Sequence, residues 1–278
     1  MSNETPNLII IGNIAYDVID FGKVFDDREQ IDEIGGACVF SAIPASFFNR
    51  VGVVAKIGED FDLSKFYNYN IDLSGIKRLN LPTTKFYTIW NTIDGQNRTI
   101  IGEVQPDMEV GASDIPEKFL KAKHFHLTTA NPLKQLEIIN YLRKKTTATI
   151  SADTIDCYAK QPECKMVFDN VDIAFIDKEY TNLLDCKARI KIIKYGKEGC
   201  LYYSSKKSFP VYANVIENVV DKTGAGDCLN GVFLNLLING QNEIKALTTA
   251  VNIATESIKN RGIMSLKIPS NVKYDVEI

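Results

Sequence analysis

The residues best equipped for chemistry stand in one run, Asp221-Lys222-Thr223-Gly224-Ala225-Gly226-Asp227. Behind it Leu229, Val232, Phe233, Leu236 and Leu237 recur at helical spacing, and Gly240 stands where a C-terminal cap belongs. The run therefore opens a helix, where free backbone N–H groups and the positive end of the helix dipole favour an anion. Two glycines let the backbone approach that anion closely, and Asp227 in the first turn can take a proton from a hydroxyl beside it. The same residues also read as a plain turn with an Asp cap, and local chemistry leaves both readings open.

Composition narrows the field. The chain has 278 residues, 45% of them hydrophobic, and a formal charge of −3. That is enough to bury the core of one large domain spanning 1–278. Its basic residues are scattered rather than gathered in a stripe, which argues against nucleic acid as the main partner. No apolar run of about 18 residues occurs, and a cytoplasmic protein without a membrane partner is expected. Cys38, Cys157, Cys164, Cys186, Cys200 and Cys228 lack zinc spacing and read as reduced, mostly core thiols. His124 and His126 alternate within KHFHLTT, a strand pattern, and read as structural.

The elements that must position the run are visible as apolar stretches. NLIII, VGVVAKIG, FHLTT, ATISAD, IAFID and IKIIKYG alternate with helical patterns, which predicts a largely parallel sheet covered by helices. Residues 85–93 and 98–104 flank Asp94-Gly95, a hairpin signal, and with residues 18–34 they predict a small β-layer projecting from the main sheet. A last helix is expected from about Glu243, with Ile244, Leu247, Val251, Ala254 and Ile258 on its apolar side. Pro44 predicts a kink or a late start in the helix after Gly36.

Neither a GxxxxGK[ST] loop nor a protein-kinase signature is present. DKTGAGD instead resembles the C-terminal signature D-[TP]-T-G-A-G-D of the ribokinase-like (PfkB) carbohydrate kinases, departing only at Lys222. Further landmarks follow in the family's order: GNIAYD at 12–17, Gly35-Gly36 opening GGACVFSA, KIGEDF at 56–61 in part, and KYGKEGC at 194–200. The resemblance implies a three-layer α/β/α fold with a small β-sheet lid from about 18–34 and 85–104. It also implies ATP and Mg2+ as cofactors and a small polyol as acceptor. Asp227 would be the catalytic base, with the Gly224, Ala225 and Gly226 amides on the transferred phosphoryl group. Asp17, Asn13, Gly35, Gly36 and Phe40 would meet the acceptor, and Lys194, Gly196, Gly199, Thr223, Gly224, Gly226 and Asn252 the nucleotide. Taken alone, Gly196 and Gly199 mean a turn, and Asn252 an exposed helix position.

Two departures bear on specificity. Phe40 stands where most sugar kinases of the family carry Asn, and the family's magnesium-organising N-x-x-E is replaced by FIDKEYTNLL, leaving Asp177 and Glu179 as metal candidates. These departures resemble the myo-inositol kinase branch, with GNIAYDV, GGACVF, AKIGEDF and KYGKEGC as the local matches. The resemblance thus points to phosphorylation of a polyol, inositol foremost. A sugar or nucleoside kinase is the alternative, with Phe40, Phe86, Tyr87 and Trp90 stacking a ring or base. A nucleotide-binding regulator that no longer transfers phosphate is the reading from another class. An exposed β-layer leaves both a monomer and a lid-mediated homodimer open.

Overall fold

The structure, a computed structural model, describes residues 4–20, 31–90, 98–102, 104–263 and 266. The strand β1 (Leu8–Ile11) is a four-residue apolar run with every side chain buried. Leu8 and Ile10 enter one core cluster while Ile9 and Ile11 enter a second on the opposite face. A continuous apolar run is what a strand covered on both faces requires.

Around it the parallel strands β4 (Val51–Ile57), β8 (His124–Leu127), β9 (Thr149–Ala152), β10 (Ile173–Asp177) and β11 (Ile190–Lys194), together with β1, coincide with the six apolar runs. Three further strands complete the sheet: β5 (Ile71–Arg78), parallel to β4, and the antiparallel pair β12 (Cys200–Ser204) and β13 (Ser208–Val211). The order is β13-β12-β11-β10-β9-β8-β1-β4-β5. One face is covered by α1 (Ala37–Ser46), α5 (Ala225–Ile238) and α6 (Glu243–Ser257), the other by α2 (Pro132–Lys145) and α4 (Pro162–Asp169), with α3 (Asp156–Ala159) beside α4. Because β1 lies between β8 and β4, its C-terminal end is a topological switch point, where open α/β sheets bind ligands.

A second sheet of four described strands has the order β3-β2-β6-β7, from β2 (Ala15–Asp20), β3 (Ile31–Gly35), β6 (Lys85–Trp90) and β7 (Arg98–Ile101). It begins at Ala15, earlier than the spacing predicts, so Asp17 lies on a strand and not in a loop. The Asp94-Gly95 turn and the Trp90 side chain lie outside the described residues.

Two helix expectations change. The helix after Gly36 starts at once at Ala37 and ends two residues after Pro44, so the proline sits in its last turn, not at a delayed start. Ile244, assigned to the apolar side of α6, is 56% exposed; Ala246, Leu247, Ala250, Val251, Ile253 and Ala254 form the buried face instead. Among the described residues no helix is long and apolar enough to cross a membrane.

Candidate active site

DKTGAGD forms a tight turn ahead of α5. Thr223 N donates to Asp221 Oδ1 at 2.9 Å, Ala225 N to the Lys222 carbonyl at 3.3 Å and Cys228 N to the Gly224 carbonyl at 2.8 Å. Gly224 caps the helix in the left-handed region at φ 74°, and a Cβ there would fall 2.1 Å from the Phe40 ring. Both observations demand glycine. The Ala225 amide closes the turn on Lys222, so of the three amides expected to face one anion this one already has a protein acceptor. Thr223 Oγ1 is buried with no hydrogen-bond partner among the described residues, the mark of a hydroxyl awaiting a ligand. The loop thus fits the phosphates of a nucleotide.

Asp227 occupies the first turn of α5. Burial pushes the Cys38 thiol up, and the charge of Asp227 adds to that shift. The same charge raises Lys194. Its carboxylate therefore lies within electrostatic reach of the start of α1 and the end of β11.

Beneath the loop lies a buried charged cluster. Lys194 Nζ is 3.0 and 2.9 Å from the two oxygens of Asp153 and 3.6 Å from Asp177 Oδ1. Asn230 Nδ2, one turn along α5 from Gly226, donates to Asp153 Oδ2 at 2.6 Å. A Cβ on Gly226 would sit 3.3 Å from Lys194 Nζ. Burial by itself would lower the lysine pKa, but Asp153, Asp177 and Asp227 outweigh it and hold the ammonium well above its ordinary range. Asp153 and Asn230 were missed in the sequence, although a polar residue directly after a buried parallel strand such as ATISA lies on the sheet edge where ligands bind.

The acceptor candidates also converge. Asp17 is 5% exposed and pairs across the small sheet with Glu33 and Phe86. Gly36 N donates to its Oδ2 at 3.4 Å, and a Cβ on Gly35 would fall 2.0 Å from the same oxygen. Gly36 has φ 86°, and a Cβ there would meet the Asn13 carbonyl at 2.5 Å; Cys38 N donates to that carbonyl at 3.2 Å. Asn13, Asp17, Gly35 and Gly36 are thus one cluster, and Phe40, 4% exposed, joins it to the anion loop through its contact with Gly224. Beside Asn13 opens a groove lined in part by Val104, Glu109, Asn131, Lys134 and Tyr158. Asn131 Nδ2 donates to Glu109 Oε1 at 3.0 Å across it.

Other candidates stand further apart. Gly196 and Gly199, at φ 60° and 103°, shape the β11–β12 turn, and a Cβ on Gly199 would strike the Val211 carbonyl at 2.1 Å. Asn252 is half-buried on α6, which packs along α5. Phe86 lies against Gly102, and Tyr87 is 43% exposed. Glu179 is exposed after β10, and Asp177 already engages Lys194. Among the described residues no three His, Cys, Asp or Glu side chains converge to hold a metal.

Known proteins share this fold. A cytidine kinase of Thermococcus kodakarensis is 27% identical over 94% of this chain and 99% of its own length. An E. coli protein provisionally assigned as ribokinase II, solved with ATP and Mg2+, superposes with a TM-score of 0.77 at 20% identity, covering 94% of this chain and 95% of its own. The nucleoside kinase of Methanocaldococcus jannaschii, an archaeal member of the ribokinase family, gives 0.72 at 18% identity over 95% of both chains. These likenesses carry the ribokinase-like fold. Residues 33–271 match the description pfkB family carbohydrate kinase. With the signature loop, the paired glycines and the fold all in place, the chain belongs to the pfkB family of carbohydrate kinases.

Proposed function

We propose that this chain transfers the γ-phosphoryl group of ATP to a hydroxyl of a ribose-bearing acceptor, a nucleoside foremost. The observation that carries the reading is the position of Asp227, which follows a left-handed glycine in the first turn of α5, with its charge felt both at the start of α1 and at Lys194. In that position a carboxylate can receive the acceptor's hydroxyl proton while the freed oxygen bonds to the γ-phosphorus and the bond from that phosphorus to the bridging oxygen breaks. ADP and a phosphomonoester leave. The helix start and the Thr223 hydroxyl support charge on the phosphates. Asp17 and the Gly35-Gly36 backbone hold acceptor hydroxyls, and the small sheet excludes water. Magnesium, when bound with ATP, supplies further neutralisation of phosphate charge.

Support for a nucleoside comes from the cytidine kinase relative, whose likeness extends over nearly both chains, and from the groove beside Asn13, whose apolar wall of Ile11, Val110 and Leu127 carries a few polar groups. Its carboxylate, amide and ammonium can read the hydrogen-bonding edge of a base. Inositol, suggested by the short motifs, has no counterpart among these relatives and remains a member of the test panel. The test is ATP-dependent product formation with cytidine, other ribonucleosides, ribose, fructose and myo-inositol, with the product identified. Turnover on nucleosides at least tenfold above the rest is expected. A preference for inositol or a free sugar would replace the acceptor, and ATP binding without transfer to any of them would make the chain a nucleotide-binding regulator.

A further inference from the structure

The cluster under Gly226 is more than a satisfied ion pair. Asp153 makes four hydrogen bonds: Oδ1 accepts from Lys194 Nζ and from Thr154 N at 2.8 Å, and Oδ2 accepts from Lys194 Nζ and Asn230 Nδ2. The Lys194 and Asp153 side chains are 10% and 5% exposed. A carboxylate accepting this many bonds in a buried site has one orientation available. The partners come from β11 and from α5, while the backbone of Asp153 is tied on either side, its N–H to the Leu127 carbonyl at 3.1 Å and its carbonyl to Gln135 Nε2 at 3.3 Å.

From this geometry we infer that Asp153 is a positioning residue for phosphoryl transfer: through Lys194 and Asn230 it fixes the first two turns of α5 against the ends of β9, β10 and β11, and so aims the phosphate loop and Asp227. The inference rests on the kinase reading above. Burying a charged pair is costly, and hydrophobic residues of equal volume would hold the helix as well. What they could not supply is a fixed positive charge under Gly226, where a desolvated ammonium acts strongly on phosphate charge. Charged or titratable groups that face Lys194 are Asp153 after β9, Asp177 on β10, Asp227 on α5, His126 on β8 and Cys200 on β12.

The experiment compares Asp153→Asn, Lys194→Met and the milder Asn230→Ala with the parent, measuring kcat, KM for ATP and acceptor, melting temperature and the pH profile of kcat/KM. Expected is a fall in kcat of about tenfold to a hundredfold for the first two, as for reacting groups displaced by about an ångström, with acceptor KM changed less than threefold. Asn230→Ala should lose less. Removing the lysine takes a cation from Asp227, so the acid limb should move up by about one pH unit; Asp153→Asn leaves that cation less neutralised, and the limb should move down. Opposed shifts are not produced by loosened packing. Unmoved limbs together with kcat within threefold of the parent in folded variants would overturn the inference while leaving the kinase reading intact. Should the first two variants fail to fold, Asn230→Ala decides alone: an unchanged kcat overturns the inference, and a reduced kcat with steady acceptor KM supports it. A parent without turnover on any acceptor overturns both.

Discussion

The floor beneath Gly226 and the groove beside Asn13 lie at the ends of strands in the same sheet, yet they are built in opposite ways. The floor is desolvated and over-determined: one carboxylate carries four hydrogen bonds, and a lysine is gripped by two acids. The groove is open, with Asn131 holding Glu109 by one bond and Lys134 side-chain exposure of 38%. Rigid, dry electrostatics suits charge that always develops in one place, whichever acceptor arrives. Single polar contacts on a wet wall suit a partner whose shape differs from one relative to the next.

The largest test of that division is Asp227→Asn, which should lower kcat by about two to four orders of magnitude while ATP affinity, read by calorimetry, stays near that of the parent. Next comes acid. His124 and His126 are fully buried, share the Ser151 hydroxyl at 2.8 Å each, and are pulled down to about 3, by burial first, then by each other's proximity for His124 and by Lys194 for His126. Their folded pKa lies below the unfolded value near 6.5, so stability is whole above about pH 6.5 and falls as the unfolded chain takes up protons below it. Between pH 7 and 5 the pair should cost about 4 kcal/mol in urea unfolding, and His126→Gln should halve that loss. A flat profile would show that the floor's neighbourhood is wetter than its geometry implies.

Gly224→Ala should come third. A methyl group at φ 74° meets the Phe40 ring, and a loss of about 1–3 kcal/mol in kcat/KM for ATP is expected, partly restored by Phe40→Leu in a double-mutant cycle. The smallest effect belongs to the groove. Asn131→Ala removes the bond to Glu109 and also the α2 cap that Leu133 N makes to Asn131 Oδ1 at 3.0 Å; acceptor KM should rise by about threefold to tenfold with KM for ATP unmoved, and stability should fall by about 1 kcal/mol. If it disturbs ATP as strongly, the two regions are not separate.

What could be read in the sequence follows the range over which each feature is encoded. DKTGAGD carries its turn, its helix start and its carboxylate within seven residues, and the fully buried strands announce themselves as unbroken apolar runs. Asp153 and Asn230 are 77 residues apart and meet only because β9 ends beneath α5. The strand β5 was not legible because IDLSGIKR mixes polar and apolar positions, and β12–β13 because its last apolar faces are partly exposed. Ile244 fitted the helical period but lies at the first turn of α6, where the helix has not yet met the core. Phe40, placed by resemblance in the acceptor pocket, has its ring against Gly224, a contact that no local pattern encodes.

That contact carries a lesson for evolution and engineering alike. One ring serves as a shared wall between the helix that follows Gly35-Gly36 and the turn of DKTGAGD. Position 40 is therefore epistatic with position 224: a smaller residue at 40 leaves a void under the loop, and a larger one lifts it. No substitution at position 40 can be judged apart from the loop that it supports.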